Sequence, residues 1–263
     1  MDLGIKGRTA LVVAASRGLG KATATELSRE GAAVAIAARD PTTLDAAAKE
    51  IRRATGNKVL AVQADVSVPA DIERLCAAVQ EELGSVDILV NNAGGPRSGV
   101  FTDMAEGDWW GAINLHLMSA IRLIDLLLPG MRERRWGRII NITSFAVKQP
   151  IPALILSNTA RAAVVAMAKT LAHQVAAEGI TVNNVCPGYT LTDRVRDLAH
   201  AASEREGKTL EEVMEELQSD IPAGRLGKPE ELAALITFLA SERAAYITGT
   251  TIQVDGGLIK GLL

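Results

Sequence analysis

Seven short runs of β-forming residues recur along the chain, and most are apolar at nearly every position rather than at every second one. They cover residues 9–14, 34–38, 59–64, 88–91, 138–143, 180–186 and 251–254. A strand that is apolar on both faces needs cover on both faces, which points to a parallel sheet between two layers of helices. Helical periodicity fills the gaps. Ile113, Leu117, Ala120, Ile121, Ile124 and Leu128 form one stripe; Ala160, Ala163, Val164, Met167 and Leu171 form a second; Leu232, Leu235, Ile236 and Leu239 form a third. This alternation predicts an α/β fold with a doubly wound, mainly parallel seven-stranded sheet. No internal repeat, linker composition or low-complexity tract divides the chain, so a single domain over residues 1–263 is expected.

Composition removes several classes of function. A formal net charge of -3 carries no basic surplus for nucleic acid, and 3% aromatic residues leave few platforms for stacked bases. No uncharged apolar run approaches the roughly 20 residues of a membrane span. Residues 1–10 lack the apolar stretch of a signal peptide. Cys76 and Cys186 are far apart and match no metal-ligand spacing, so no metal is expected. The expectation is a cytoplasmic protein with reduced thiols.

The first strand runs into Ala14-Ala15-Ser16-Arg17-Gly18-Leu19-Gly20. A glycine-rich turn from strand to helix brings backbone N–H groups and a helix N-terminus against a pyrophosphate. The second strand ends Ala38-Arg39-Asp40. An acid at that corner bonds ribose hydroxyls and repels a 2′-phosphate, whereas arginine attracts it. Arg39 and Arg17 favour NADP over NAD, and Asp40 complicates that reading. Further along come Asp65-Val66, Asn91-Asn92-Ala93-Gly94 and Pro187-Gly188, then 225–231 and 247–257. In this order and spacing the motifs resemble the short-chain dehydrogenase/reductase family over residues 5–258, nearest its 3-oxoacyl-carrier-protein reductase-like branch. The resemblance implies a Rossmann fold. It implies that Ala14, Ser16, Arg17, Gly18, Leu19 and Gly20 face the cofactor phosphates and that Asp65 and Val66 meet the adenine. It places Asn92, Ala93 and Gly94 next to the cofactor, and Pro187 and Gly188 beside the nicotinamide. Val13 and Ala14 depart from the family's Thr-Gly. Alanine at 14 costs little at negative φ and is strained at positive φ.

The same resemblance locates a proton-transfer site and shows it altered. The family uses a tyrosine four residues before a lysine on one helix face, a serine that polarises the carbonyl, and an asparagine that supports the lysine through water. Ser144 and Asn114 fit the last two. Ser157 falls at the tyrosine and Arg161 at the lysine, in the run Leu156-Ser157-Asn158-Thr159-Ala160-Arg161, which resembles an atypical branch lacking the usual cofactor motif and tetrad. An aliphatic hydroxyl is a far weaker acid than a phenol. Arginine can hold ribose hydroxyls but cannot pass a proton on. Another donor is required: Lys148 first, Tyr189 second, or Ser144 through water. His116 is set aside because i and i+2 do not share a regular helix face.

Residues 190–220 hold no strand and many charges, and they read as a lid over the crevice or as an ordinary surface helix pair. Two functions remain open. One is an NADP-dependent oxidoreductase acting on a small carbonyl or alcohol, as a homotetramer or homodimer by family expectation. The other is a non-catalytic dinucleotide-binding sensor or scaffolding subunit.

Overall fold

A computed structural model describes residues 2–262. Its strands are β1 (Thr9–Val13), β2 (Ala33–Ala38), β3 (Val59–Gln63), β4 (Ile88–Asn91), β5 (Gly137–Ile142), β6 (Ile180–Pro187) and β7 (Thr251–Val254). They form one sheet in the order β3-β2-β1-β4-β5-β6-β7. Every pairing is parallel, so the mainly parallel sheet expected is wholly so. Each strand lies within one residue of its expected bounds; β1, β2, β4, β5 and β6 are buried at nearly every position, which leaves a mostly apolar signal.

The helices are α1 (Gly18–Arg29), α2 (Pro41–Thr55), α3 (Pro69–Leu83), α4 (Glu106–Ile113), α5 (Ser119–Glu133), α6 (Ile155–Val175), α7 (Asp193–Glu206), α8 (Leu210–Ser219) and α9 (Pro229–Leu239). One face of the sheet is covered by α1, α2 and α9, whose Ala24, Leu27, Ala47, Ile51 and Ile236 pack on Val12, Ile36, Val90 and Ile140. The other is covered by α3, α5 and α6, whose Leu75, Leu123 and Ala172 pack on Leu11, Leu89, Ile139 and Val182. A π-helical turn, Asn114–Met118, joins α4 to α5. The continuous helix Glu106–Glu133 is long and apolar enough to cross a membrane by length and composition. Here Leu123, Ile124, Leu127 and Met131 are spent on the domain core.

Chain order reverses between β1 and β4, and ligands of open α/β sheets bind in the crevice beyond that point. The α1 loop and residues 91–94 form its two banks. The 190–220 segment folds as α7 and α8 over a small separate core of Phe145, Val195, Ile221, Leu226 and Leu258.

Candidate active site

The loop after β1 is shaped by close approach. A Cβ on Gly20 would stand 2.5 Å from the Ala14 carbonyl oxygen, so only glycine lets α1 start this near the strand. Gly18 has φ 56°, and Arg17, at the N-cap, makes no side-chain capping bond. The first N–H groups of α1 are therefore free to meet an anion. Asn92 Nδ2 donates to Ala14 O (3.2 Å) and ties the two banks together. Leu19 packs into the core and Ser16 is half-buried. These features fit a dinucleotide diphosphate. Ala14 itself has φ 50°, the strained alternative. Ala14→Gly is expected to raise the unfolding free energy by about 1 kcal/mol, since left-handed backbone costs an L-residue roughly that much. Urea denaturation would check it, and a less stable variant would refute it.

At the β2 corner, Asp40 is occupied. Its carboxylate accepts from Thr43 N (2.7 Å) and caps α2, with Pro41 in the first turn. The Thr43 N–H, then the Thr43 hydroxyl, hold its pKa below the ordinary value. Ala38 offers no polar group, and Arg39 is exposed with no ion pair among the described residues. Arg17 lies 3.5 Å from Asp193 of α7. Asp65 accepts from the Ser67 N–H and hydroxyl in a local turn (2.9 and 2.7 Å). Val66, expected at the adenine, has its side chain in the core just after β3.

Ser157 and Arg161 do face each other across one helical turn: Arg161 Nε donates to Ser157 Oγ at 3.1 Å. Arg161 is 8% exposed, and its other bonds go to backbone carbonyls. Nη1 donates to Ile142 O (3.1 Å) and Thr143 O (2.6 Å), and Nη2 to Ala93 O (3.4 Å). It clamps the ends of β4 and β5. Burial, with Arg194 adding repulsion, lowers its pKa to about 10. The expected free fork for ribose hydroxyls is thus largely used; one N–H of its five remains.

Below Arg161 lies a cavity of about 20 Å³, lined in part by Val13, Asn91, His116, Asn141 and Thr143. His116 belongs here. The π-turn adds a residue to the helical repeat and swings it inward, to 6% exposure. The side-chain spacing of a regular helix did not apply. Burial first, then Arg161 and Arg194, hold its pKa well below the usual histidine value, so it is neutral. A row of amides crosses the sheet in register beside it. Asn91 donates to Asn141 (2.8 Å), Asn141 to Asn184 (2.9 Å) and Asn184 to Thr251 Oγ1 (3.2 Å). His116 Nε2 and Asn91 Oδ1 are left without protein partners. A space above about 10–15 Å³ admits a water, and these two polar atoms with Arg161 would suit one.

The remaining residues divide. Ser144 Oγ accepts from Ala146 N (3.1 Å), which leaves its own proton free to donate. Lys148 Nζ is drawn to Gln253 of β7 (2.7 Å). Tyr189 follows the Pro187-Gly188 turn, where Gly188 N bonds Val254 O (3.0 Å). Its ring meets Phe145, the neighbour of Ser144, edge-on at 5.2 Å. Burial, then Asp220, raises its pKa, so its proton stays in place at neutral pH. Asn114 lies in the π-helical turn between α4 and α5. Its side chain donates to Ser67 O (2.7 Å) and accepts from Arg122 (2.7 Å), with no bond to Arg161 among the described residues. At the mouth, Arg194 of α7 donates to Pro96 O (3.1 Å). A Cβ on Gly18 would lie 3.5 Å from Thr192. Thr192 and Arg194 thus reach both banks.

Known proteins share this fold over nearly the whole chain. The family profile described as enoyl-(acyl carrier protein) reductase matches residues 13–259. The chain belongs to the short-chain dehydrogenase/reductase family. The 3-oxoacyl-[acyl-carrier-protein] reductase of Vibrio cholerae is 39% identical to this short-chain dehydrogenase/reductase over 256 residues, covering 97% of this chain and 99% of that one. L-Sorbose reductase from Gluconobacter frateurii, solved with NADPH and L-sorbose, superposes with a TM-score of 0.94 at 35% identity, covering 100% of both chains. An actinorhodin polyketide ketoreductase variant solved with NADPH gives a TM-score of 0.93 at 34% identity, covering 97% of this chain and 98% of that one.

Proposed function

We propose that this chain is an NADP-dependent oxidoreductase that reduces a small carbonyl compound, or oxidises the matching alcohol, in the manner of 3-oxoacyl-carrier-protein reductases but with an altered tetrad. The observation that carries the reading is the β2 corner. Ala38 cannot bond a ribose hydroxyl, Asp40 is committed to capping α2, and Arg39 is free to receive a 2′-phosphate. The relatives solved with NADPH support it. Gly18 and Gly20, with the N-terminus of α1, hold the diphosphate; Ala93, Gly94, Pro187 and Gly188 border the nicotinamide half. The bound cofactor supplies the hydride.

The chain's own residues handle the carbonyl oxygen. Ser144 donates a hydrogen bond to that oxygen, keeping its proton, and polarises the carbonyl. Tyr189 delivers the proton that the new alcohol needs, a phenol brought from the β6 turn in place of the one missing from α6. This reverses the order expected from sequence, because Lys148 is held at Gln253. Ser157 and Arg161 become positioning residues that fix the ends of β4 and β5. Asn114, bonded to Ser67 O and Arg122, keeps the helix turn in place. Residues 190–220 serve as a lid, with Thr192 and Arg194 reaching from this segment to the two banks of the crevice. The cytoplasm remains the expected compartment. A homotetramer or homodimer is expected, and the apolar groove lined by Ile121, Leu128, Met167 and Leu171 offers it a face.

Calorimetric titration tests the reading. NADPH is expected to bind at least about tenfold more tightly than NADH, and Arg39→Ala to remove most of that preference. Equal affinities, or NADH bound better, would overturn it. The non-catalytic reading is favoured by one observation, that Ser157 Oγ is already engaged by Arg161. Cofactor binding without turnover of any carbonyl would bring it forward.

A further inference from the structure

We infer that the crevice takes an anionic substrate, a carbonyl compound that also carries a carboxylate, and that Arg194 is the residue that receives the carboxylate. The inference rests on the reductase reading and names its substrate class.

Charge balance at the mouth singles out this side chain. Arg17 and Arg196 both lie within 4.0 Å of Asp193, and Arg97 pairs with Asp108. Arg194 has no carboxylate within that distance among the described residues; Asp197, one turn on, acts only at longer range. The side chain is not loose in solvent. It is half-buried, donates to Pro96 O at 3.1 Å, and lies flat on Gly95. A Cβ on Gly95 would stand 2.5 Å from Nη2 and 2.7 Å from Cζ, so in this position the guanidinium lies close against the glycine backbone.

The surroundings repeat the sign. Arg161 is buried beneath, bonded to carbonyl dipoles and a hydroxyl rather than to an anion. Arg194 is near enough to raise the cost of charge on both Arg161 and His116. Ser144, Tyr189 and His116 are neutral. Asp65 is turned into its own loop, and Asp220, beside Tyr189, belongs to the end of α8. Two guanidiniums in a partly desolvated crevice attract an anion more strongly than they would in water, and a planar fork suits a carboxylate. The cofactor diphosphate is the competing anion. It belongs with Gly18 and Gly20 on the far bank, whereas Arg194 rests on Gly95 and Pro96.

The test pairs acids with esters. Pyruvate, acetoacetate and levulinate are assayed with NADPH beside their methyl esters, using wild type, Arg194→Met and Arg194→Lys. Malonate, which cannot be reduced, is titrated separately into the protein–NADPH complex by cofactor fluorescence. At least one acid is expected to exceed its ester about tenfold in kcat/KM. Arg194→Met should erase that preference through KM, leave NADPH affinity within about twofold and abolish malonate binding; Arg194→Lys should restore part of both. Esters reduced as well as acids would overturn the inference while leaving the reductase reading intact. So would an Arg194→Met protein that loses NADPH affinity but keeps malonate, since that assigns Arg194 to the diphosphate. If no pair is turned over, the reductase reading fails on these compounds and malonate decides the inference alone. Binding to wild type but not to Arg194→Met upholds it, and no binding to wild type overturns it.

Discussion

Arg161→Met is expected to lower the unfolding free energy by about 3 kcal/mol, measured by urea denaturation. Two effects oppose each other. The buried guanidinium is costly: a pKa lowered to about 10 from 12.5 corresponds to roughly 3 kcal/mol against the charged form, at about 1.36 kcal/mol per unit. Methionine removes that penalty. It also strands the acceptors at Ile142, Thr143, Ala93 and Ser157. Charge-assisted bonds contribute about 1.5–3 kcal/mol each, and three of these four are of good length. Their loss, near 6 kcal/mol, exceeds the relief. Arg161→Lys should recover about half, because an ammonium keeps the charge but cannot span both strand ends in one plane. A methionine variant as stable as wild type would show that the clamp contributes nothing and that Arg161 is retained for ligand alone.

That clamp marks where the sequence stops being legible. The seven strands could be read because burial on both faces writes itself into consecutive apolar residues, as in 34–38 and 180–186. The loop at Gly18 and Gly20 was legible because close approach demands glycine. The Asp40 cap is locally encoded too, since an N-cap acid followed by proline is a helix-start signal, but an acid at that corner suits a ribose hydroxyl equally well. Three features had no local signature. His116 enters the site through a π-turn that breaks the spacing used to set it aside. The amide row from Asn91 to Thr251 exists only once four strands are in register. Arg161 binds carbonyl oxygens, which every residue carries and no side-chain pattern reveals.

Tyr189→Phe is expected to lower kcat for reduction about 100-fold, the lower range for losing a positioned general acid, while KM and NADPH affinity stay within about twofold. The change removes one oxygen and keeps the edge contact with Phe145, so thermal stability should hold. The sign of the pH dependence follows from the shift. Burial, then Asp220, raises the phenol above its ordinary value of 10, so the donor is protonated throughout the neutral range. Wild-type reduction should therefore fall only on the alkaline side of pH 10, and Tyr189→Phe should lose that limb. Lys148→Met supplies the contrast. Its ammonium serves Gln253, and kcat should change less than about threefold. If the Tyr189 variant retains wild-type kcat and the Lys148 variant does not, the donor is the lysine. If both retain it, Ser144 works through water, and the phenol is packing for the small core beneath α8.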